Sequence, residues 1–288
     1  MHWQNIVEKI APYLVKVETP GGRGTGFLCL ANRDKSILGI ATAAHVVGHA
    51  DEWQEPIRLR SFHTDKTAFL KEGQRVIRFN WAADSAVILF PAGDLDFPEQ
   101  LIPLLPSSET LPIGVEIGWL GFPAIEAFTP CFFSGSISAR RDDQSAYLID
   151  GVAINGVSGG PVFYSTDADG LRIVGIITTY RANRATGDAL PGLSYAQDVA
   201  HFHTVIESIR SLDDAKSDKA ARRETKTANK PRHRTVPKPS NFLFIRPPFA
   251  HGRCALRYPK KTRRRWPATK HRSSSIHHDT AQWSRKQR

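Results

Sequence analysis

The chain has 288 residues, 41% of them hydrophobic, and a formal net charge of +11. That charge is divided: residues 1–212 carry 17 Lys and Arg against 23 Asp and Glu, net −6, whereas residues 213–288 carry 22 against 5, net +17. No run of 18 or more apolar residues occurs, which excludes a membrane-spanning helix, and Met1–Asn5 lacks the charged and apolar stretches of a secretory signal.

Three widely separated cysteines, Cys29, Cys131 and Cys254, do not make a disulfide framework. They suit a reducing, cytoplasmic location, and the lack of a CxxC pair argues against thiolate-bound zinc.

Residues 3–10 are expected to form a short helix. After them the chain reads as short apolar strands broken by Gly, Pro, Asn and Asp. Six are expected at Tyr13–Val17, Gly26–Leu30, Ile37–Thr42, Ile57–Phe62, Val76–Phe79 and Ser85–Phe90. Pro91–Pro112, rich in Pro and Ser, reads as a connection. Six more strands follow at Val115–Leu120, Cys131–Ser138, Ala146–Ile149, Pro161–Tyr164, Arg172–Thr179 and Leu193–Ala196. Arg140-Arg141-Asp142-Asp143 reads as a charged hairpin turn. About twelve short strands and little helix indicate an all-β sandwich or barrel architecture.

One helix closes this part, expected over about 197–212. Val199, Phe202, Val205, Ile206, Ile209 and Leu212 recur at three- and four-residue steps and form one apolar face. Residues 213–288 are basic, Pro-rich and poor in aliphatics. They are expected to be disordered, because little apolar burial is available to offset ordering entropy.

Three segments carry candidate chemistry: Thr42-Ala43-Ala44-His45-Val46-Val47, Asp84-Ser85-Ala86-Val87-Ile88-Leu89, and Asn155-Gly156-Val157-Ser158-Gly159-Gly160-Pro161-Val162. A serine hydroxyl becomes a nucleophile only when a base removes its proton. The oxyanion that forms then needs donors aimed at it, and the small residues around Ser158 let backbone N–H groups approach closely. His45 is the candidate base, and Asp84 the candidate carboxylate that fixes its tautomer. Taken singly, each has a plainer reading: a structural serine in a turn, a satisfied core histidine, an aspartate capping a turn. The three together, in the order His–Asp–Ser on an all-β chain, are far more specific.

These motifs resemble those of the trypsin-like serine proteases of the chymotrypsin fold, nearest to the bacterial high-temperature-requirement (Deg-type) branch and compact trypsin-like peptidases. The TAAHV motif is matched at Thr42–Val46, the D-x-A-V strand at Asp84–Leu89, and G-x-S-G-G-P at Gly156–Pro161. Gly24-Thr25-Gly26-Phe27, Gly118–Pro123 and Ile173–Ile176 resemble subsidiary motifs.

The resemblance spans roughly residues 12–212. It implies two six-stranded antiparallel β-barrels, at about 12–95 and 110–198, with the site in the cleft between them. It further implies a serine endopeptidase acting on protein or peptide substrates without cofactor or metal. His45, Asp84 and Ser158 would be the triad, and the backbone N–H groups of Gly156 and Ser158 the oxyanion hole. Ile177–Tyr180 would pair with substrate backbone. Val152, Ala153, Ile154 and Asn155, with Thr178 and Thr179, would lie near the primary pocket and suggest a small or medium apolar P1 residue.

The chain departs from this family at Val157, where most members have Asp or Asn. That removes a switch based on N-terminal cleavage and leaves open how the oxyanion loop is held. No PDZ domain is expected in residues 213–288, so trimerisation and PDZ control are not carried over. A competing reading is a chymotrypsin-fold binding module that does not cut.

His45 and His49 have the i, i+4 spacing of a zinc helix. Val46 stands where such a site needs Glu, and the context reads as strand. His201 and His203 are expected on a solvated helix face, and Trp3 and Trp53 as packing residues. The tail, with Lys260–Trp266, is able to bind nucleic acid or an anionic surface non-specifically; an extension with no partner is the plainer reading.

Overall fold

The computed structural model describes residues 2–228 apart from 94, 127 and 183–188. Residues 229–288, most of the basic tail, therefore lie outside the described residues.

Helix α1 (Trp3–Ile10) is followed by β1 (Leu14–Thr19), β2 (Gly22–Ala31), β3 (Ile37–Ala43), α2 (Ala44–Glu52), β4 (Ile57–Ser61), β5 (Thr67–Leu70), β6 (Val76–Asn80) and β7 (Ser85–Pro91). These seven strands form one antiparallel sheet in the order β5-β4-β1-β2-β3-β7-β6. The second group is β8 (Glu116–Gly121), β9 (Cys131–Arg141), β10 (Ala146–Asp150), β11 (Pro161–Thr166), β12 (Gly170–Ala182) and β13 (Ala189–Asp198). It closes into a six-stranded barrel, β10-β13-β12-β11-β8-β9. The fold is chymotrypsin-like.

The expected first set of six strands gains a seventh, β5, a four-residue strand paired with β4 from Ile57↔Leu70 to Arg60↔Thr67. A second difference bears on the site. The residues after Ala43 leave the sheet and wind into α2, whereas the sequence context of His45 and His49 reads as strand.

Buried apolar side chains from both groups form one continuous core, with Leu14, Val17, Ile40 and Ile88 from the first and Trp119, Ile149, Val162 and Ile176 from the second. Each fully buried side chain of this size contributes about 1.5–3 kcal/mol through removal from water. The connection between the groups is itself docked. Leu105 N–H donates to Ile173 O at 2.7 Å, Ile173 N–H donates to Pro103 O at 2.9 Å, and Leu95, Leu105 and Leu111 are buried.

The terminal helices cross over. Trp3 of α1 rests on Phe132 and Phe163 of the second barrel, with centroids 5.3 and 6.0 Å away, and its indole donates to Glu116. Helix α3 (Ala200–Ala228) leaves the second barrel and lies on the first sheet, where Phe202 meets the edge of Phe27 at 6.2 Å. The apolar face ends at Leu212 as expected, but the helix continues to Ala228. Ala and Lys are strong helix formers, and Arg33 fixes the continuation: its N–H donates to Asp213 and its guanidinium to Asp214 and Ser217. No helix among the described residues is long and apolar enough to cross a membrane.

Candidate active site

His45 is the second residue of α2. The N-cap position, Ala43, has no side chain able to accept from the first turn. Asp84 supplies what is missing from across the sheet. Its backbone carbonyl accepts the Ala44 N–H at 3.1 Å, and its carboxylate Oδ1 accepts the His45 N–H at 3.0 Å. A carboxylate here satisfies otherwise unpaired donors and complements the positive end of the helix. The other oxygen, Oδ2, lies 2.7 Å from His45 Nδ1. If His45 is neutral, that contact places the proton on Nδ1 and leaves Nε2 as the basic nitrogen.

Asp84 is presented by the turn from Asn80, in which Ala83 N–H donates to Asn80 Oδ1 and Asp84 N–H to Trp81 O. Its φ of 42° is in the left-handed region, which aspartate tolerates better than most residues. The next residue, Ser85, is fully buried and its hydroxyl lies 2.7 Å from His201 Nδ1 on α3. Burial holds the His201 imidazole below its ordinary value. His203 Nε2 lies 2.7 Å from Leu105 O. The expected solvated pair is thus two part-buried, bonded side chains, His201 against β7 of the first sheet and His203 against the connection between the groups. Trp53 reverses the other way: at the end of α2 it is two-thirds exposed.

The turn before β11 is built on positive φ at Gly156 (93°) and Gly159 (83°). A Cβ on Gly159 would sit 2.2 Å from Thr25 O, and one on Gly156 2.4 Å from Phe122 O. Both positions therefore require glycine.

Four successive carbonyls of this turn, from Asn155 to Ser158, are engaged. Asn155 O accepts from Ala124 N–H at 2.6 Å, Gly156 O from the Thr25 hydroxyl at 2.8 Å, Val157 O from Gly160 N–H at 2.8 Å, and Ser158 O from Thr25 N–H at 2.8 Å. In a trans peptide the C=O and the following N–H point in opposite directions. Holding Asn155 O and Val157 O thus aims the N–H groups of Gly156 and Ser158 the other way. Neither has a hydrogen-bond partner among the described residues. Val157 is fully buried, with its side chain over Gly121.

His45, Asp84 and Ser158 line one cleft of about 480 Å³, together with Trp81, Ala153, Ile154, Asn155, Ile177, Thr178 and Thr179. Of the residues expected near the primary pocket, Ala153, Ile154, Asn155, Thr178 and Thr179 are here. Val152 is not: its side chain is half exposed, and its carbonyl accepts the Trp119 indole N–H at 3.3 Å. Trp81 went unnoticed in the sequence. It stacks on Phe79 at 4.6 Å, covers Gly48 and stays largely exposed at the cleft.

The β12–β13 register shifts between Ile177 and Tyr180, so Thr178 and Thr179 have no matched partners across the ladder. The Ser158 hydroxyl donates to Thr178 O at 3.3 Å, and His45 Nε2 has no hydrogen bond among the described residues.

Two other features fall away as chemistry. His49 shares α2 with His45, so the local context is helix and not strand, but its Nδ1 faces Glu55 Oε2 at 3.3 Å. Cys29 is buried and its thiol is pushed up to about 12, which leaves no thiolate near neutral pH.

The description of the trypsin-like peptidase domain matches this chain over residues 24–176, more than half its length and inclusive of all three motifs. The chain belongs to that family. Among solved structures, a serine endoprotease from Yersinia pestis matches this trypsin-like peptidase with a TM-score of 0.53 and 21% identity, over 73% of this chain and 67% of that one. Deg5 matches with a TM-score of 0.50 and 18% identity, over 71% and 90%. At such identities the likeness is one of fold. No curated protein matches the chain.

Proposed function

We propose that this trypsin-like peptidase is a serine endopeptidase that cuts through an acyl-enzyme, with Ser158 as nucleophile, His45 as general base and then general acid, and Asp84 as the group that orients His45. The observation that carries the reading is the 2.7 Å approach of Asp84 Oδ2 to His45 Nδ1 in the cleft that Ser158 also lines.

In the reaction, the Ser158 hydroxyl turns about its Cα–Cβ bond from Thr178 O to His45 Nε2. Nε2 takes the proton as Oγ attacks the scissile carbonyl. The N–H groups of Gly156 and Ser158 receive the oxyanion. His45 passes the proton to the leaving amine, and a water molecule activated by the same nitrogen hydrolyses the acyl group. The unmatched Thr178–Thr179 stretch receives the substrate backbone as an added strand. Ala153, Ile154 and Thr178 carry no charge, which suits a small or medium apolar P1 side chain.

One observation favours a second reading, a peptide-binding module that does not cut: Ser158 is hydrogen-bonded to Thr178 O and not to His45. A fluorophosphonate probe with the full chain separates the two. The peptidase reading expects labelling of the wild type and none of Ser158→Ala. A folded wild type that labels no better than Ser158→Ala overturns it.

A further inference from the structure

We infer that Thr25, on β2 of the first sheet, is a positioning residue that locks the oxyanion loop of the second barrel through its side-chain hydroxyl. The inference rests on the serine peptidase reading above.

Thr25 is fully buried and every polar atom it has is engaged. Its N–H donates to Ser158 O at 2.8 Å, and its carbonyl accepts from the Thr42 hydroxyl at 2.7 Å. Its hydroxyl has one proton to give. The Phe122 N–H donates to Oγ1 at 2.9 Å and occupies a lone pair, so the proton goes to Gly156 O, 2.8 Å away. One hydroxyl thus joins β2, the exit of β8 and the loop before Ser158.

The bond fixes the orientation of the Gly156–Val157 peptide. That peptide joins the two whose N–H groups are proposed to receive the oxyanion, which are held at Asn155 O and Val157 O, so its release would loosen the segment that sets their spacing. Its other end is held by a single bond, from Val157 N–H to Ile154 O at 3.0 Å. The side chain of residue 157 cannot help, because valine offers no hydrogen bond. At Gly156 a φ of 93° lies in a region that glycine leaves freely by rotation, so the loop needs an external restraint. The Thr25 hydroxyl supplies it from a different sheet, while the Thr25 carbonyl is bonded to Thr42, three residues before His45.

Removing a single oxyanion donor outright costs about 10²–10³ in kcat. Loosening both without removing either is expected to cost about tenfold or more.

The test compares wild type, Thr25→Val and Thr25→Ser as full chains. Thr25→Val keeps the shape and deletes the hydroxyl; Thr25→Ser keeps the hydroxyl. Four quantities are measured for each: kcat and KM on a peptide found with the wild type, affinity for a peptidyl trifluoromethyl ketone, and affinity for the matching peptide without the reactive ketone. The ketone forms a tetrahedral oxyanion on the serine, and the plain peptide does not.

Thr25→Val is expected to lose kcat and ketone affinity together, by about tenfold or more, while KM and plain-peptide affinity stay near wild type. Thr25→Ser is expected to restore most of both. Loss of a merely structural threonine would impair all four quantities together or none. If Thr25→Val does not fold, Thr25→Ala removes the same hydroxyl without adding volume and is compared with Thr25→Ser in its place. An active wild type whose hydroxyl-free variants keep kcat and ketone affinity overturns the inference alone. A wild type that neither cleaves nor labels overturns the peptidase reading and this inference with it.

Discussion

The Asp84 carboxylate serves two groups of one residue: Oδ1 receives the His45 backbone N–H at 3.0 Å and Oδ2 faces its ring Nδ1 at 2.7 Å. Ring orientation and helix start are therefore set by the same side chain. Asp84→Asn keeps an acceptor for the backbone N–H but presents an amide to the ring and favours the wrong tautomer. A loss of kcat of about 10³–10⁴ is expected, with a folded protein by circular dichroism. Steady-state kinetics on a cleaved peptide check it; a loss below tenfold would remove Asp84 from the proposed triad.

Gly159 has no room for a side chain. With φ at 83° and Thr25 O 2.2 Å from the position of a Cβ, Gly159→Ala is expected to destabilise the fold by about 3 kcal/mol or more and to abolish active-site labelling. Gly73→Ala is the matched control, because nothing lies within 4 Å of its Cβ position and its φ is not positive. That variant should stay within about 0.5 kcal/mol of wild type in urea denaturation.

Arg75 is buried and spans two segments, with donations to Leu70 O at 2.9 Å and to Ala50 O at 3.0 Å. Ala50 is in the last turn of α2, so this guanidinium holds the far end of the helix that bears His45. Arg75→Met retains the apolar stem and removes both donations; Leu70 O loses its guanidinium partner, whereas Ala50 O keeps the Glu55 N–H at 2.8 Å. A loss of about 1–3 kcal/mol is expected from urea melts.

His201 makes stability depend on pH in a defined direction. Burial lowers its folded value, so below about pH 6.5 the unfolded chain binds a proton that the folded chain resists. This contribution is complete above about pH 6.5 and is lost as pH falls through the interval down to the lowered folded value. His201→Asn, which keeps a polar group beside Ser85, is expected to flatten that part of the curve. Thermal melts between about pH 5 and pH 8 check it; equal slopes for both proteins would refute it.

The sequence made the strands of the second barrel legible, because Val, Ile and Tyr runs there are bounded by Gly and Asp. It also brought out all three cleft residues by their motifs. Helix α2 was hidden for a specific reason. The residue that caps it is Asp84, some 40 positions away, and nothing local to Ala43 announces a helix start. Strand β5 escaped because four residues, two of them exposed, carry too little alternation. The last 16 residues of α3 read as tail because their composition is polar, and the Arg33 contacts that anchor them are tertiary. Thr25 stood in a recognised motif, yet its partners lie 97 and 131 residues away. Loop anchoring of that kind has no local signature.

The crossing of the two terminal helices makes the halves thermodynamically inseparable. Trp3 belongs by sequence to the first half and is solvated or buried according to whether the second half is folded; Phe202 and His201 are in the reverse position. Melting either half exposes apolar surface that the other half's helix was covering, so intermediates with one sheet intact are penalised from both directions. Heat or urea should take residues 1–228 through a single transition, with the same midpoint whether read from Trp3 fluorescence or from the amides of β7.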